Sequence, residues 1–396
     1  MPEYGQAPDL ASAEMTQSGV SVTKCDASVH HRKLRAAGGG PHRQGRARLT
    51  LGGRRPIARR DGAAGMITHT EICIVGAGLS GLSLAAMLRA EGRDVTVLEA
   101  RDRAGGRVLS WRGYDLGPAW VWPHNRRMLA LAERLGLRSF AQHAQGRLVF
   151  EAGDGTIRRD LDFATMGGAL RIEGGLARVT DALAGQLGDR LLSGQAVRRV
   201  TEDAAGVTLS CDSAEIRADR AVLALPPRLM AGLGVAVPDA PTWMAGHAKL
   251  VATYPTAFWR DAGLNGDAIS HRGPLAEIHD ATLAGEGEGA LFGFALPGAA
   301  GHPGFQEAAL AQLARLFGLD AAGPRDVIVK DWSTDPATAV QADRVPPVGH
   351  PAYRAIAPTA RLIFAGTEAA AEDGGFLEGA LASAEAAYLH LGQSVA

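Results

Sequence analysis

Glu71-Ile72-Cys73-Ile74-Val75-Gly76-Ala77-Gly78-Leu79-Ser80-Gly81-Leu82 is the stretch on which the fold turns. Its first half is rich in strand-forming residues, three glycines spaced as G-x-G-x-x-G interrupt it, and helical spacing carries on through 82–90. Residues 94–98, Asp-Val-Thr-Val-Leu, then read as a second buried strand, so the whole is a βαβ unit. In such a turn Gly76 makes the tight bend, Gly78 lets the backbone approach a pyrophosphate, and Gly81 lets the helix pack closely on the strand. Ser80 lies within the same turn and is expected to contact the ligand with them. The unpaired N–H groups and the dipole at the helix start favour an anion there. Glu99 ends the second strand 23 residues after Gly76, where a carboxylate can accept hydrogen bonds from an adenosine ribose.

The rest of the chain is long enough for two domains or one large α/β unit: 396 residues, 46% of them apolar. Three cysteines (Cys25, Cys73, Cys211) at unrelated spacings exclude a disulfide framework and any paired Cys-x-x-Cys metal site, so no metal is expected and a reducing compartment is the simpler reading. A net charge of −1 hides an asymmetry, because residues 1–65 hold 11 Lys and Arg against 5 Asp and Glu. With so few apolar residues that stretch reads as a disordered basic leader, whose removal should leave folding and cofactor content unchanged. Its Arg54-Arg55 and Arg59-Arg60 pairs are not followed by an apolar export segment, and a nucleic-acid partner is not expected. Residues 72–88 are uncharged but too short and too glycine-rich to span a bilayer, which leaves a cytoplasmic protein as the expectation.

Further along, 124–135 and 175–187 read as helices, 195–200 and 206–210 as a hairpin, and 221–225 as a short buried strand closed by Pro226-Pro227. Residues 249–254, 277–278 and 290–295 read as strands of a different, antiparallel sheet. A strand at 361–364 and an Ala-rich helix at 376–391 complete the pattern. The expected fold is α/β: a Rossmann-like dinucleotide domain from 66–123, 171–235 and 351–396, with a second domain of mixed antiparallel sheet and helices inserted as 124–170 and 236–350.

Two further segments narrow the reading. Arg101-Asp102-Arg103-Ala104-Gly105-Gly106-Arg107 follows Glu99 at once, and the far end carries Phe364-Ala365-Gly366-Thr367-Glu368 and Gly374-Gly375-Phe376-Leu377-Glu378-Gly379-Ala380. Together with the opening turn these resemble the flavin-containing amine oxidase family, of the monoamine and polyamine oxidase kind, over roughly residues 70–395. The resemblance implies FAD as cofactor. By it, Arg101 lies on the adenosine side, Gly105, Gly106 and Arg107 cradle the pyrophosphate and ribityl chain, and Glu368 binds the same region. Leu377 and Ala380 would bring backbone N–H groups beneath the isoalloxazine, and Val197 would pack on the adenine unless it is a plain core valine. Glu378 reads equally well as a first-turn helix carboxylate. Some relatives tether FAD through a cysteine after the tryptophan corresponding to Trp332; residues 336–340 offer none, so non-covalent FAD is implied.

The resemblance also marks Lys249, in Ala248-Lys249-Leu250, as the lysine that holds a water against flavin N5. Apolar neighbours should make its charge easy to lose on burial, while a sheet-guarding lysine is the plain alternative. Asp115-Leu116-Gly117-Pro118-Ala119-Trp120 resembles the segment that passes along the flavin ring. Phe376 stands at the place of one ring of an aromatic substrate cage, no aromatic follows Trp332 at the place of the other, and Trp120 and Trp332 are candidates for that wall or for core packing. His279 and Asp280 read equally as cavity-lining or as satisfied strand-end groups. The implied activity is oxidation of a small-molecule amine to an imine, with hydride passing to flavin N5 and O2 reduced to H2O2. A dehydrogenase or desaturase acting on C–C bonds and a non-catalytic flavin-binding protein are the alternatives.

Overall fold

The computed structural model describes residues 68–393 apart from 286 and 348; the expected leader, with Cys25, lies outside them. β1 (His69–Val75) leads through the glycine turn into α1 (Leu79–Ala90) and β2 (Val95–Glu99). A tight hairpin, β3 (Ser110–Trp111) and β4 (Tyr114–Asp115), precedes α2 (Arg126–Arg134), β5 (Ser139–Ala141), β6 (Arg147–Glu151), β7 (Ile157–Leu161) and β8 (Leu170–Ile172). Next come α3 (Ala177–Leu187), β9 (Leu191–Ser193), β10 (Val197–Asp203), β11 (Gly206–Cys211), β12 (Glu215–Ala224) and α4 (Pro227–Ala231). β13 (Ala248–Tyr254), α5 (Phe258–Asp261), β14 (Leu264–Ser270), β15 (Leu275–Asp280), β16 (Gly289–Ala295), α6 (Phe305–Phe317) and β17 (Asp326–Asp331) follow, then β18 (Leu362–Ala365) and α7 (Leu377–Gln393).

One sheet has the order β10-β11-β12-β1-β2-β9, with β18 also paired to β12. β12 is long enough to serve two neighbours on one edge: Glu215–Ala218 pair with β11, and Ala221–Ala224 pair parallel with β18. Because side chains alternate across a strand, Ile72, Ile74, Val95 and Val97 face a core shared with α1, α3 and α7, while Cys73, Val75 and Leu98 face the β10–β12 side. This is the α/β dinucleotide architecture, assembled from separated stretches of chain.

The second sheet runs β17-β13-β16-β15-β14-β6-β7. It is antiparallel as expected, except that β6 and β14 are parallel. β13 is buried along its whole length. Leu250, Ala252 and Tyr254 pack on the α6 side, so Lys249 and Val251 face the other way, with Val251 in a cluster that contains Leu116, Phe292 and Trp332. That alternation aims Lys249 toward the dinucleotide half of the molecule.

Three differences from the sequence reading have physical causes. Stretch 124–170 divides: Met128, Leu131 and Ala132 of α2 pack in the core of α1 and α7, whereas β6 and β7 extend the second sheet. Helix α6 has a readable stripe of Phe305, Ala309, Leu313, Leu316 and Phe317, yet was not anticipated. β14 reads Leu-Asn-Gly-Asp-Ala-Ile-Ser, a buried strand with polar residues whose partners, Phe163, Thr165 and His279, are remote in sequence.

Candidate active site

The two glycine loops meet backbone to backbone. Gly76 sits at φ +105°, and a Cβ there would lie 2.6 Å from the Ala224 carbonyl oxygen; one on Gly81 would overlap the Gly76 oxygen. Gly105 donates its N–H to the Ala77 carbonyl at 2.7 Å, and Gly106 lies against Gly78. A Cβ on Gly78 would meet no atom within 4 Å, so there is open space at the N-terminus of α1 where a diphosphate can approach. Glu99, 3% exposed, accepts the Ala77 and Arg101 N–H groups, each at 2.9 Å, and so holds the turn to the end of β2. These features fit a dinucleotide: a side-chain-free cradle, a helix start and a buried carboxylate at the adjoining strand end.

Several expected contacts resolve differently. Ser80 Oγ accepts the Gly366 N–H at 3.1 Å and lies 3.2 Å from Ser383 Oγ, so it joins α1 to the end of β18 and to α7. Arg101 is directed at Asp335 (2.6 Å) and Thr338 (2.7 Å), clamping the 335–338 turn to the end of β2. Arg107 and Glu368 bond to each other through two parallel contacts of 2.6 and 2.9 Å, so the early and late motifs form one clamp. The Ala380 N–H is spent on the Phe376 carbonyl in the first turn of α7, leaving Leu377 as the residue that opens that helix. Glu378 accepts the N–H groups of Arg127 (2.9 Å) and Met128 (3.1 Å), capping α2. Val197 starts β10 and packs with Cys73, Val75 and Leu98.

Lys249 is 2% exposed, and its ammonium donates to the carbonyls of Asp115 (3.2 Å) and Gly117 (2.8 Å). Gly117 packs so tightly on the Arg107 carbonyl that any Cβ would overlap it, which ties this segment to the cofactor loop. Nζ lies 4.0 Å from the Phe292 ring centroid, 5.1 Å from Phe294 and 6.0 Å from Trp120. Burial pushes Lys249 down to about 7 against the opposing pull of the Asp115 carboxylate. Asp115 is itself pushed up to about 6 by burial, despite hydrogen bonds from Ser110 Oγ and the Leu176 N–H.

Trp120 packs edge-on to His279 at 5.0 Å and against Phe292 at 5.3 Å, and its indole N–H reaches Gln142 at 3.0 Å. Trp332 is 6% exposed and donates to the Leu116 carbonyl at 2.9 Å, so it buttresses the wall from the core and does not form it. Phe376 stacks face to face on His350 at 4.9 Å, next to Trp243 and Tyr353 rather than Trp120. His279 lies 3.2 Å from Asp267; burial lowers its pKa, but Asp267 and Glu277 more than offset this and hold it above the ordinary value. Asp280 is committed to Arg260, Trp259 and the Thr282 N–H. The sequence reading missed Phe292, Phe294, Gln142 and Arg171; the Phe-Gly-Phe alternation of β16 was the available signal for the first two.

The sequence profile of a family described as flavin containing amine oxidoreductase matches residues 79–156 and 145–387. A protein of Mycobacterium tuberculosis that bears the name flavin-containing monoamine oxidase AofH is 26% identical over 80% of this chain and 95% of its own length. Putrescine oxidase of Kocuria rosea is 25% identical over 57% of this chain and 72% of its own. Cyclohexylamine oxidase from Brevibacterium oxydans superposes with a TM-score of 0.72, at 19% identity, over 82% of this chain and 99% of that one, a likeness of fold.

Proposed function

The chain belongs to the family of flavin-containing amine oxidoreductases and is a flavin-dependent oxidoreductase with FAD as cofactor, and from that premise we propose that it oxidises a small amine to an imine, which water hydrolyses to a carbonyl compound, with O2 reduced to H2O2. Bound FAD supplies the two-electron acceptor for the hydrogen on the carbon next to nitrogen. The chain's own part is to bind, exclude water and place a proton. Gly78, the start of α1 and Glu99 would hold the dinucleotide end, and the Arg107–Glu368 clamp would close over the middle. No cysteine is available for a covalent tether in the described part of the site: Cys73 is buried in β1, and Cys211 ends β11.

The reading rests on Lys249: a buried amine with no carboxylate in ion-pair reach among the described residues, held by two carbonyls and faced by Phe292, Phe294 and Trp120. With its pKa near 7 it can take up or release a proton at Nζ at neutral pH, which a proton-coupled oxidation needs. The deciding experiment is an absorbance spectrum of the purified protein before and after acid precipitation, followed by a peroxide-coupled screen of monoamines, diamines, polyamines and amino acids. Flavin released into the supernatant, with peroxide from one amine class, is the expected result. Flavin with no peroxide, and no anaerobic bleaching by any amine, would sink the reading in favour of oxidation at C–C bonds.

A further inference from the structure

Arg171 is the cation that the fold and the proposed chemistry leave unexplained. It lies in β8, 3% exposed, and makes no ion pair among the described residues. Among the described residues its one side-chain hydrogen bond runs from Nη1 to the Thr282 carbonyl at 2.9 Å, its guanidinium lies 5.3 Å from the Phe140 ring, and Nε is buried without a partner. The neighbouring carboxylate that could have neutralised it, Asp115, also has an unpartnered buried oxygen, Oδ2. Asp280, the other acid near enough to influence it, is consumed by Arg260 and Trp259. A guanidinium keeps its charge at any physiological pH, and an unpaired buried charge is strongly unfavourable. An anion placed against its free Nε edge would relieve that cost.

The position is next to the substrate wall. Leu170, the residue before Arg171, exchanges backbone hydrogen bonds with Val121, the residue after Trp120. Thr282, which holds the guanidinium, lies two residues beyond Asp280, whose carbonyl accepts from Gln142, the partner of the Trp120 indole. Asp115, beside Arg171, gives its main-chain carbonyl to Lys249. Burial pushes the Asp115 carboxyl toward its neutral form, and the charges of Arg171 and Lys249 oppose that shift.

We propose that Arg171 recognises a substrate carboxylate, so that the amine this enzyme oxidises is an amino acid, with Asp115 Oδ2 free to receive its ammonium and the Trp120, Phe292 and Phe294 rings beside an apolar side chain. The inference rests on the amine-oxidation reading above and names its substrate class. The balanced reaction is amino acid + O2 + H2O giving 2-oxo acid + NH3 + H2O2: the Cα–H and an N–H bond break, two electrons pass by way of the flavin to O2, and water supplies the carbonyl oxygen. A planar guanidinium with a free edge can meet a carboxylate through two parallel hydrogen bonds, which an ammonium cannot do.

The test compares holoenzyme kcat/KM for L-phenylalanine and for 2-phenylethylamine, which lacks only the carboxylate, and titrates benzoate and benzyl alcohol against the flavin absorbance without turnover. Phenylalanine is expected to be preferred at least tenfold, and benzoate to perturb the flavin spectrum where benzyl alcohol does not. In Arg171→Gln the preference should vanish and the benzoate Kd rise at least tenfold, with Arg171→Lys recovering part of both. Equal or better use of 2-phenylethylamine, or benzoate binding unchanged in Arg171→Gln, overturns the proposal. If Arg171→Gln does not fold, the two wild-type comparisons decide alone. If neither probe gives peroxide or bleaching, the benzoate titration of wild type and Arg171→Gln decides this proposal, and the amine-oxidation reading fails only if no amine of the wider screen gives peroxide or bleaching.

Discussion

Lys249 shows how one residue changes meaning with its surroundings. In the sequence it is a lysine between Ala248 and Leu250; in the fold its ammonium is bonded by two carbonyls and faced by aromatic rings, with a pKa near 7 in place of 10.5. Between those two values the unfolded chain binds the extra proton, so this group's contribution to stability rises with pH above about 7, by at most about 1.4 kcal/mol per unit. Denaturant midpoints at pH 7 and 9 are expected to rise for the wild type relative to Lys249→Met. The same substitution should slow flavin reduction by an amine about 10²-fold and remove the limb near pH 7 from its pH profile. A rate within threefold of wild type would leave Lys249 structural. Only part of this was legible in advance: Lys249 was singled out, but Asp115 figured only as a letter in a motif, and Arg171 was invisible, because an unpaired charge is a property of space and not of spacing.

Elements carry the next level of argument, and caps and clamps matter most. Glu378 lies in the first turn of α7 yet serves α2, 250 residues earlier in the chain, through two main-chain N–H groups. Glu378→Ala should cost about 1–2 kcal/mol, read as a lower denaturant midpoint, with little change in flavin affinity. The Arg107–Glu368 clamp should behave differently. Arg107→Ala leaves Glu368 buried and uncompensated, so a loss of about 3–5 kcal/mol is expected together with loss of flavin during gel filtration. Retention of the full flavin complement by this variant would show that the clamp braces the fold alone. The elements themselves were readable where periodicity is strong, as in β1, α1, β2, β13 and α7. They were unreadable in β14, where buried Asn265 and Asp267 are stabilised by the Phe163 carbonyl and by Thr165 and His279.

At the scale of the whole molecule the dinucleotide half is closed by the end of the chain. β18 adds to β12, and Ala380, Leu381, Ala384, Ala387 and Leu391 of α7 fill the core against α1 and α2. A chain ended at residue 360 is therefore expected to be insoluble or molten and to bind no FAD, as far-UV and near-UV circular dichroism with flavin absorbance would report. A soluble, flavin-binding product would contradict this account of the core. No helix among the described residues is long and apolar enough to cross a membrane.

The sequence by itself determined the dinucleotide turn, the carboxylate that ends the second strand and the family, since those depend on local geometry: a G-x-G-x-x-G bend needs glycine wherever it occurs, and short motifs survive in linear order. Tertiary structure alone decided how the charges are spent. Ser80, Arg101 and Glu378 became braces, Arg107 and Glu368 became partners 261 residues apart, and Arg171 was buried with no ion pair among the described residues. Such outcomes follow from which groups are desolvated together, and desolvation is set by packing between stretches of chain that have no fixed spacing in the sequence.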